Sequence, residues 1–306
     1  MRKSIAALLA GATLAVTATP AVAQDGNSTR QVLGRILDVI LGPGGSPQEQ
    51  ADSTDAAVPV VAPLAMDQVL AADLRAEDRA RDQWRHPAET LEFFRVQPGQ
   101  TVVDYMPASG YYTRVLVPYL GSAGVYVGLT PDPQAADGQR FADYFEGLPG
   151  QFREAAPQWN LTGAPIAVYG SQDVPEQLKG QVDRVLIFRE MHNLLRSGAM
   201  YTELTRIRDM LKPDGMVGIV QHRARDDAPA DYTLGSKGYL RQFDVIGLMR
   251  AHGFELVESS QINANLTDPA NHPEGVWELS PSLRTQREEL RRIGESDRMT
   301  LLFRKR

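Results

Sequence analysis

A short turn rich in small residues, 104–113, carries the clearest chemical signal in this sequence. Asp104 ends a β-branched apolar run, and Ala108, Ser109 and Gly110 follow before an apolar helical pattern begins. Such a strand-to-helix turn lets the backbone approach a nucleotide-like ligand, and the following helix presents unpaired N–H groups. A tight turn without a ligand is the alternative, because a strong fingerprint has three glycines and this turn has one.

A second group of reactive side chains follows the fourth apolar run, where residues 189–193 read Arg-Glu-Met-His-Asn. His192 titrates near neutrality and is a candidate for taking a proton from a nucleophile, and Arg189 is a candidate for orienting an anionic substrate. Alternatively, His192 packs in a loop and Arg189 pairs with an acid. His222, farther along, either faces the same cleft or hydrogen-bonds a loop. The spacing of the histidines predicts no metal site, and no hydrolase elbow occurs.

These side chains need one sheet edge to bring them together, and the alternation of apolar runs with helical patterns predicts it. Strands separated by helices indicate right-handed crossovers and a mainly parallel sheet, with both faces covered. Strands are predicted at 101–104, 125–129, 165–169, 182–188, 216–220, 254–257 and 299–303. Helices are predicted at 74–84, 111–120, 139–145, 200–211 and 240–252. The Gly-Leu-Pro-Gly sequence at 147–150 is expected to stop the third of these helices.

Taken together, the motifs resemble the class I S-adenosylmethionine-dependent methyltransferases. The sequence is most similar to a group of predicted exported methyltransferases, over about residues 66–306. The matching segments are 85–91, 98–104, 110–113, 211–215, 251–254 and 296–298.

The resemblance implies a doubly wound α/β fold with a seven-stranded sheet in the order 3-2-1-4-5-7-6, whose last strand is antiparallel. It implies S-adenosylmethionine as the cofactor and methyl transfer to a small or medium substrate, with His192 and Arg189 as candidate catalytic residues. The candidate cofactor-binding residues are Asp104, Met106, Ala108, Ser109, Gly110, Tyr111, Asp132 and Asp173. Tyr111 and Tyr112 either stack on the ligand or fill the seam between sheet and helix.

Departures from the family pattern keep a second class of function open. Ala108 and Ser109 replace two of the usual turn glycines, and Thr130 stands where a ribose-binding acid is expected, with Asp132 two residues later. A non-catalytic exported protein that binds another ligand or a protein partner on the same fold is therefore the alternative. A dehydrogenase on a related sheet is disfavoured by the long segment before the final strand.

The N-terminal residues predict export to the periplasm. Residues 1–23 have the charged start, apolar run and small-residue end of a signal peptide. Residues 24–63 read as a flexible tether with one short amphipathic helix, a candidate for packing on the domain or docking a protein partner, and 64–306 as the domain. Cleavage leaves 30 basic against 38 acidic residues, a net charge of −8, which disfavours nucleic acid and anionic lipid. No stable membrane insertion is expected after cleavage, and the absence of cysteine excludes disulfides and thiolate sites.

Overall fold

The computed structural model describes residues 60–306. The predicted signal peptide, and the tether up to residue 59, lie outside the described residues and stay predictions. At residue 61 the chain already contacts the domain, because the Val61 N–H donates to the Ser122 hydroxyl at 2.9 Å. Among residues 60–306, no helix has both the length and the apolar character that a bilayer crossing requires.

Seven strands form one sheet in the order β3-β2-β1-β4-β5-β7-β6. The strands are β1 Thr101–Tyr105, β2 Val125–Thr130, β3 Ile166–Gly170, β4 Val182–Phe188, β5 Leu211–His222, β6 Phe254–Ser260 and β7 Arg298–Lys305. The first five strands pair in parallel, and β7 runs antiparallel to both β5 and β6. The predicted fold class and strand order are therefore confirmed.

Helices cover both faces of this sheet. They are α1 Met66–Ala71, α2 Asp82–Arg85, α3 Pro87–Phe93, α4 Thr113–Leu120, α5 Gln139–Ala155, α6 Met191–Ser197, α7 Met200–Met210, α8 Gln242–Ala251 and α9 Glu288–Arg291. Side chains alternate along β1, so Val103 joins the apolar cluster beneath α7 and α8, while Val102 joins the cluster beneath α3 and α4. The sheet is thus buried on both sides, as apolar strands require.

The segment before α3 differs from the predicted helix over 74–84. It forms two 3-10 turns, Asp73–Arg75 and Arg79–Arg81, before α2 begins. The side chain of Arg79 donates to the carbonyl oxygens of Ala71 and Ala72 at 2.8 and 3.1 Å. These side-chain bonds satisfy backbone acceptors at the break between α1 and the first turn.

The predicted stop at 147–150 is wrong, because α5 continues through this sequence to Ala155. Phe145 packs in the apolar cluster on one face of the sheet, and Phe152 packs in the cluster on the other face. Both rings are buried, with 1% and 4% exposure. The helix therefore contacts both layers, and burial at its two halves outweighs the unfavourable propensities of Gly147, Pro149 and Gly150.

The cost of this arrangement predicts the effect of replacing Pro149 by alanine. Proline inside α5 lacks an N–H for the carbonyl of Phe145 and crowds that carbonyl. We expect Pro149→Ala to raise the free energy of unfolding by about 2 kcal/mol in denaturant titration. Ala142→Gly, in the same helix, serves as the control and should lower it by about 1 kcal/mol. A neutral result for both variants would show that this segment gains nothing from being helical.

Candidate functional site

The turn after β1 places three alternate residues in the left-handed backbone region. Met106, Ala108 and Gly110 have φ of 54°, 49° and 77°, whereas Ser109 lies outside this region. A left-handed backbone costs a residue with a Cβ about 1–2 kcal/mol relative to glycine. Met106 and Ala108 therefore hold strained conformations, which is the kind of strain found at ligand-binding turns. Met106 and Ala108 thus carry side-chain atoms at two positions where glycine would leave the backbone open to a ligand.

Gly110 is covered by the ring of Trp159, which lies in the 3-10 turn Ala156–Trp159 after α5. A Cβ on Gly110 would lie 2.3 Å from the indole Cη2 atom, so only glycine fits. The same indole packs edge-on against Phe152 and beneath the guanidinium of Arg114, 5.1 Å from its centroid. One side of the turn is thus closed by the chain itself, while Ala108 and Ser109 remain exposed on the surface.

Asp104 lies beneath the turn and not on an open surface, with 2% exposure. The Tyr126 hydroxyl donates to its Oδ2 at 3.0 Å, and the Thr113 hydroxyl is 2.8 Å from that phenol oxygen. Burial raises the pKa of the Asp104 carboxyl to about 7, against the lowering effects of the Tyr126 hydrogen bond and the Arg189 charge. The structure therefore makes Asp104 the buried end of a hydrogen-bond chain.

The two tyrosines of the turn have different surroundings. Tyr111 donates to Asp82 Oδ1 at 2.5 Å, and the Arg85 guanidinium lies 4.5 Å from its ring centroid. Tyr112 stacks on Phe188 with centroids 3.5 Å apart and fills the seam between α4 and the sheet. Tyr111, a predicted cofactor contact, therefore has its hydroxyl and its ring in contact with Asp82 and Arg85 of the segment before α3.

A cavity of about 630 Å³ opens at the carboxyl ends of β2 and β3, and we call it the β2–β3 cavity. It brings together two of the predicted cofactor ligands, Asp132 and Asp173, and one wall is the Pro149–Gly150 part of α5. Asp173 is exposed and accepts one hydrogen bond, from Gln172 Nε2 at 2.9 Å. Asp104 and the 106–111 residues do not line this cavity.

Asp132 is held by a buried polar group that the sequence analysis missed. Its carboxylate pairs with Arg206 at 2.9 Å, and its N–H donates to Glu203 Oε1 at 3.1 Å. Glu203 is fully buried and also accepts from Ser171 at 2.6 Å and from Tyr105 at 3.2 Å. Burial raises the pKa of Glu203. The available signal was a glutamate on the apolar face of α7, between Met200 and Ile207 in the helical repeat.

A smaller cavity of about 180 Å³ lies at the carboxyl ends of β4 and β5, and we call it the β4–β5 cavity. Arg189 and His222, from the ends of these two strands, both line it. The His222 Nδ1 atom is 2.5 Å from the Ser296 hydroxyl, and burial lowers the pKa of His222 well below its usual value. His222 is therefore neutral at pH 7. Both positions considered for it are observed, because it faces the cleft and also hydrogen-bonds the loop before β7.

His192 lies behind His222 and does not line the cavity. Its ring centroid is 5.8 Å from that of His222 and 6.1 Å from that of Trp277, and only 5% of the residue is exposed. Burial lowers the pKa of His192 to about 4, so its imidazole is neutral near pH 7. A proton from a ligand in the cavity would meet His222 before it reached His192.

Glu190 is the acid that follows Arg189 after the end of β4. Its Oε2 accepts from the Asn193 amide at 2.7 Å. Burial raises the pKa of Glu190 to about 7, against the lowering effects of Asn193 and Arg189. The negative charge of Glu190 in turn raises the pKa of Asp104. Two carboxyls that titrate near neutrality thus stand at the ends of the adjacent strands β1 and β4.

Several solved structures are similar to this chain at low sequence identity. A SAM-dependent methyltransferase from Aquifex aeolicus is 16% identical, with a TM-score of 0.46, over 65% of this chain and 94% of that one. The [4+2]-cyclase SpnF is 14% identical, with a TM-score of 0.47, over 91% of this chain and 94% of the cyclase. A geranyl diphosphate methyltransferase solved with SAM is 14% identical, with a TM-score of 0.45, over 81% and 98%. No protein-family model and no curated protein matches the chain.

Proposed function

We propose that this protein is an S-adenosylmethionine-dependent methyltransferase that acts on a small or medium substrate. The proposal includes the exported, periplasmic subgroup that the N-terminal sequence and the motifs predict. It rests on the motif resemblance and on one structural observation, which is the position of the two cavities in the sheet.

The two cavities lie on opposite sides of the point where the strand order reverses. The chain leaves β1 toward β2 and β3, and returns on the other side as β4 and β5. In open α/β sheets, ligands bind at the carboxyl ends of the strands beside this switch point. The β2–β3 cavity is on one side of Asp104 and Glu190, and the β4–β5 cavity is on the other. This arrangement suits two ligands that react with each other across the ends of β1 and β4.

The β2–β3 cavity fits the nucleoside half of the cofactor. Its volume of about 630 Å³ lies within the usual range for small-molecule sites, about 300–1,000 Å³. Asp173 has unused acceptor positions for ribose hydroxyls or the adenine amino group. Beside Gly110 the Trp159 ring fills the space, so the rest of the cofactor requires the segment of α5 and Trp159 to shift.

The chain's own groups would position the reactants and manage one proton. When bound, S-adenosylmethionine would supply an electrophilic methyl group. Asp173 would hold the nucleoside, and Arg189 would orient the acceptor from the end of β4. The Glu190 carboxyl, with a pKa of about 7, matches the requirement for a general base at neutral pH. His192, the candidate base from the sequence, would act in this scheme only as a neutral neighbour that supports His222.

The test is a calorimetric titration of the protein with S-adenosylmethionine and S-adenosylhomocysteine. We expect binding by the wild type and a loss of about tenfold or more in affinity for Asp173→Ala, because a hydrogen bond to a charged group is removed. Asp143→Ala is the matched control, since Asp143 is also exposed and accepts one bond from a glutamine, Gln139, at 2.6 Å. It does not line the cavity and should leave the affinity unchanged.

A non-catalytic binding protein on this fold is the second candidate, and the Trp159 ring against Gly110 favours it. Under this candidate, neither the wild type nor Trp159→Ala gives any heat or thermal shift with millimolar cofactor. That result would end the methyltransferase proposal, because Trp159→Ala removes the ring that blocks the turn.

A further inference from the structure

Four arginines converge on a single carboxylate at the edge of the β4–β5 cavity. Arg81, Arg85 and Arg298 bond to the Glu295 carboxylate at 2.9, 3.1 and 2.9 Å, and Arg189 lies 4.0 Å from it. Glu295 is buried, with 4% exposure. The group therefore carries three more positive than negative charges, inside a chain whose net charge is −6.

Glu295 has no capacity left for these cations. Its Oε1 accepts from Arg81 Nε and Arg85 Nε, and its Oε2 accepts from Arg85 Nε and Arg298 Nη1. A carboxylate offers about four acceptor sites, and these three N–H groups occupy them, since the Arg85 N–H is shared between both oxygens. Arg298 is satisfied by this bond and by the carbonyl oxygens of Ser296 and Trp84.

The other three arginines keep free donors. Arg81 and Arg85 bond through Nε alone, and the side chain of Arg189 donates no hydrogen bond to any residue in 60–306. Arg85 is 2% exposed as a whole residue, and its terminal nitrogens bond to no residue in 60–306, but they are not fully enclosed, because Arg85 lines the cavity. Guanidinium N–H groups are charged donors, and they form strong hydrogen bonds with oxyanions. These donors are therefore available to an acceptor that enters the cavity from outside the chain.

The β4–β5 cavity supplies the space for such an acceptor. Its lining includes Arg81, Arg85 and Arg189, together with the ring of Trp277 and the hydroxyl residue Ser282. At about 180 Å³ it is large enough for one small acid only. The larger cavity of about 490 Å³ beyond β5 lacks this feature, because its Arg223 is already bound twice by Asp297, at 2.8 and 2.9 Å.

We propose that the β4–β5 cavity binds the carboxylate or phosphate group of a small molecule, held by the free guanidinium donors of Arg81, Arg85 and Arg189. Guanidinium forks match the geometry of both oxyanions. The Trp277 ring provides a flat surface for the body of the molecule. The anion site follows from the arginines alone; that its occupant is the methyl acceptor rests on the proposed function.

The experiment is a calorimetric titration with benzoate, phenyl phosphate and the neutral amide benzamide, without the cofactor. We expect at least one anion to bind with about millimolar affinity or better, and benzamide not to bind. Preference between benzoate and phenyl phosphate identifies the oxyanion. Arg189→Met and Arg81→Met should each weaken the preferred anion by about tenfold, since each removes a charged hydrogen-bond donor.

Arg95→Met is the matched control, because Arg95 is a partly exposed arginine with a left-handed backbone, φ 55°, like Arg189 with φ 64°. It lies outside the cavity and should leave anion affinity unchanged. Equal binding of benzamide, equal weakening by Arg95→Met, or no anion binding by a folded wild type would overturn the proposal. Anion binding alongside a blank cofactor titration would retain this site and reject the methyltransferase function.

Discussion

Replacing Glu295 by alanine is expected to lower the free energy of unfolding by about 3–5 kcal/mol, the largest loss we expect from any single change in this site. The substitution leaves Arg85 and Arg298, each 2% exposed, without their buried counterion. Arg81 and Arg189 are then close to two like charges that nothing offsets. The arginines stay in place, so the loss of stability includes the cost of uncompensated buried charge. It is therefore larger than the net contribution of the ion pairs to the free energy of unfolding.

The loss should be concentrated in the contact between distant parts of the chain. Glu295 precedes β7, whereas Arg81 and Arg85 belong to the segment before α3, more than 200 residues earlier. Proteolysis should therefore reach residues 60–95 in Glu295→Ala before the sheet unfolds, since this segment loses its charged attachment.

Denaturant titration measures the effect, with Glu255→Ala as the control. Glu255 also pairs with an arginine, Arg304 at 2.9 Å, but both side chains are exposed and solvent screens the pair. Equal, small losses for the two variants would contradict a buried network at Glu295. Added phosphate should restore part of the stability of Glu295→Ala, because an anion bound among the arginines replaces the missing carboxylate.

The sheet was predictable from sequence because its signal is local. Each parallel strand is a short apolar run that must be buried on both faces, and each is bounded by turn residues that end it. The same local reasoning failed at α5, where Gly147 and Pro149 disfavour a helix. Burial of Phe145 and Phe152 on opposite faces of the sheet decides the outcome there, and a contact between distant elements leaves no local trace.

The positions of some candidate site residues were predictable for the same reason, while their roles stay predictions. Asp132 and Asp173 line one cavity and Arg189 lines the other, because the ends of parallel strands must meet at one edge. The partners that determine what these residues do come from far along the chain. Glu295 reaches Arg85 across 210 residues, and no spacing rule connects them. A charged residue on the apolar face of a helix, as at Glu203 in α7, is the one signal of this kind that a sequence carries.

Glu190→Gln is expected to become more stable relative to the wild type as the pH rises. In the folded wild type, burial raises the pKa of Glu190 from 4.5 to about 7. Between these values the folded protein holds a proton that the unfolded chain has released. The contribution of Glu190 to the free energy of unfolding therefore falls as the pH rises through this window. Glutamine does not titrate, so the difference between variant and wild type should grow by about 2–3 kcal/mol.

Denaturant titration at pH 4.5, 6 and 7.5 measures this difference. His192 titrates in the opposite sense, since its lowered pKa of about 4 makes stability increase with pH up to its usual value. This contribution is common to both proteins and cancels in the comparison. Glu255→Gln is the control, because the hydrogen bond from Arg304 lowers the pKa of Glu255, so that the effect of its titration on stability falls mainly below pH 4.5 and the difference from the wild type should stay nearly constant over this range.

The same variant separates a structural from a chemical role for the Glu190 carboxyl. A purely structural acid would change stability with pH and leave the pH dependence of turnover as it was. A general base with a pKa of about 7 would make kcat/KM rise through neutral pH, and Glu190→Gln would remove that rise while lowering the rate. A stability difference that stays constant from pH 4.5 to 7.5 would mean that folding does not raise the pKa of Glu190, so that its carboxyl is ionised at neutral pH. Its carboxylate would then be a fixed charge facing Arg189, and the proton of the acceptor would have to leave by way of His222.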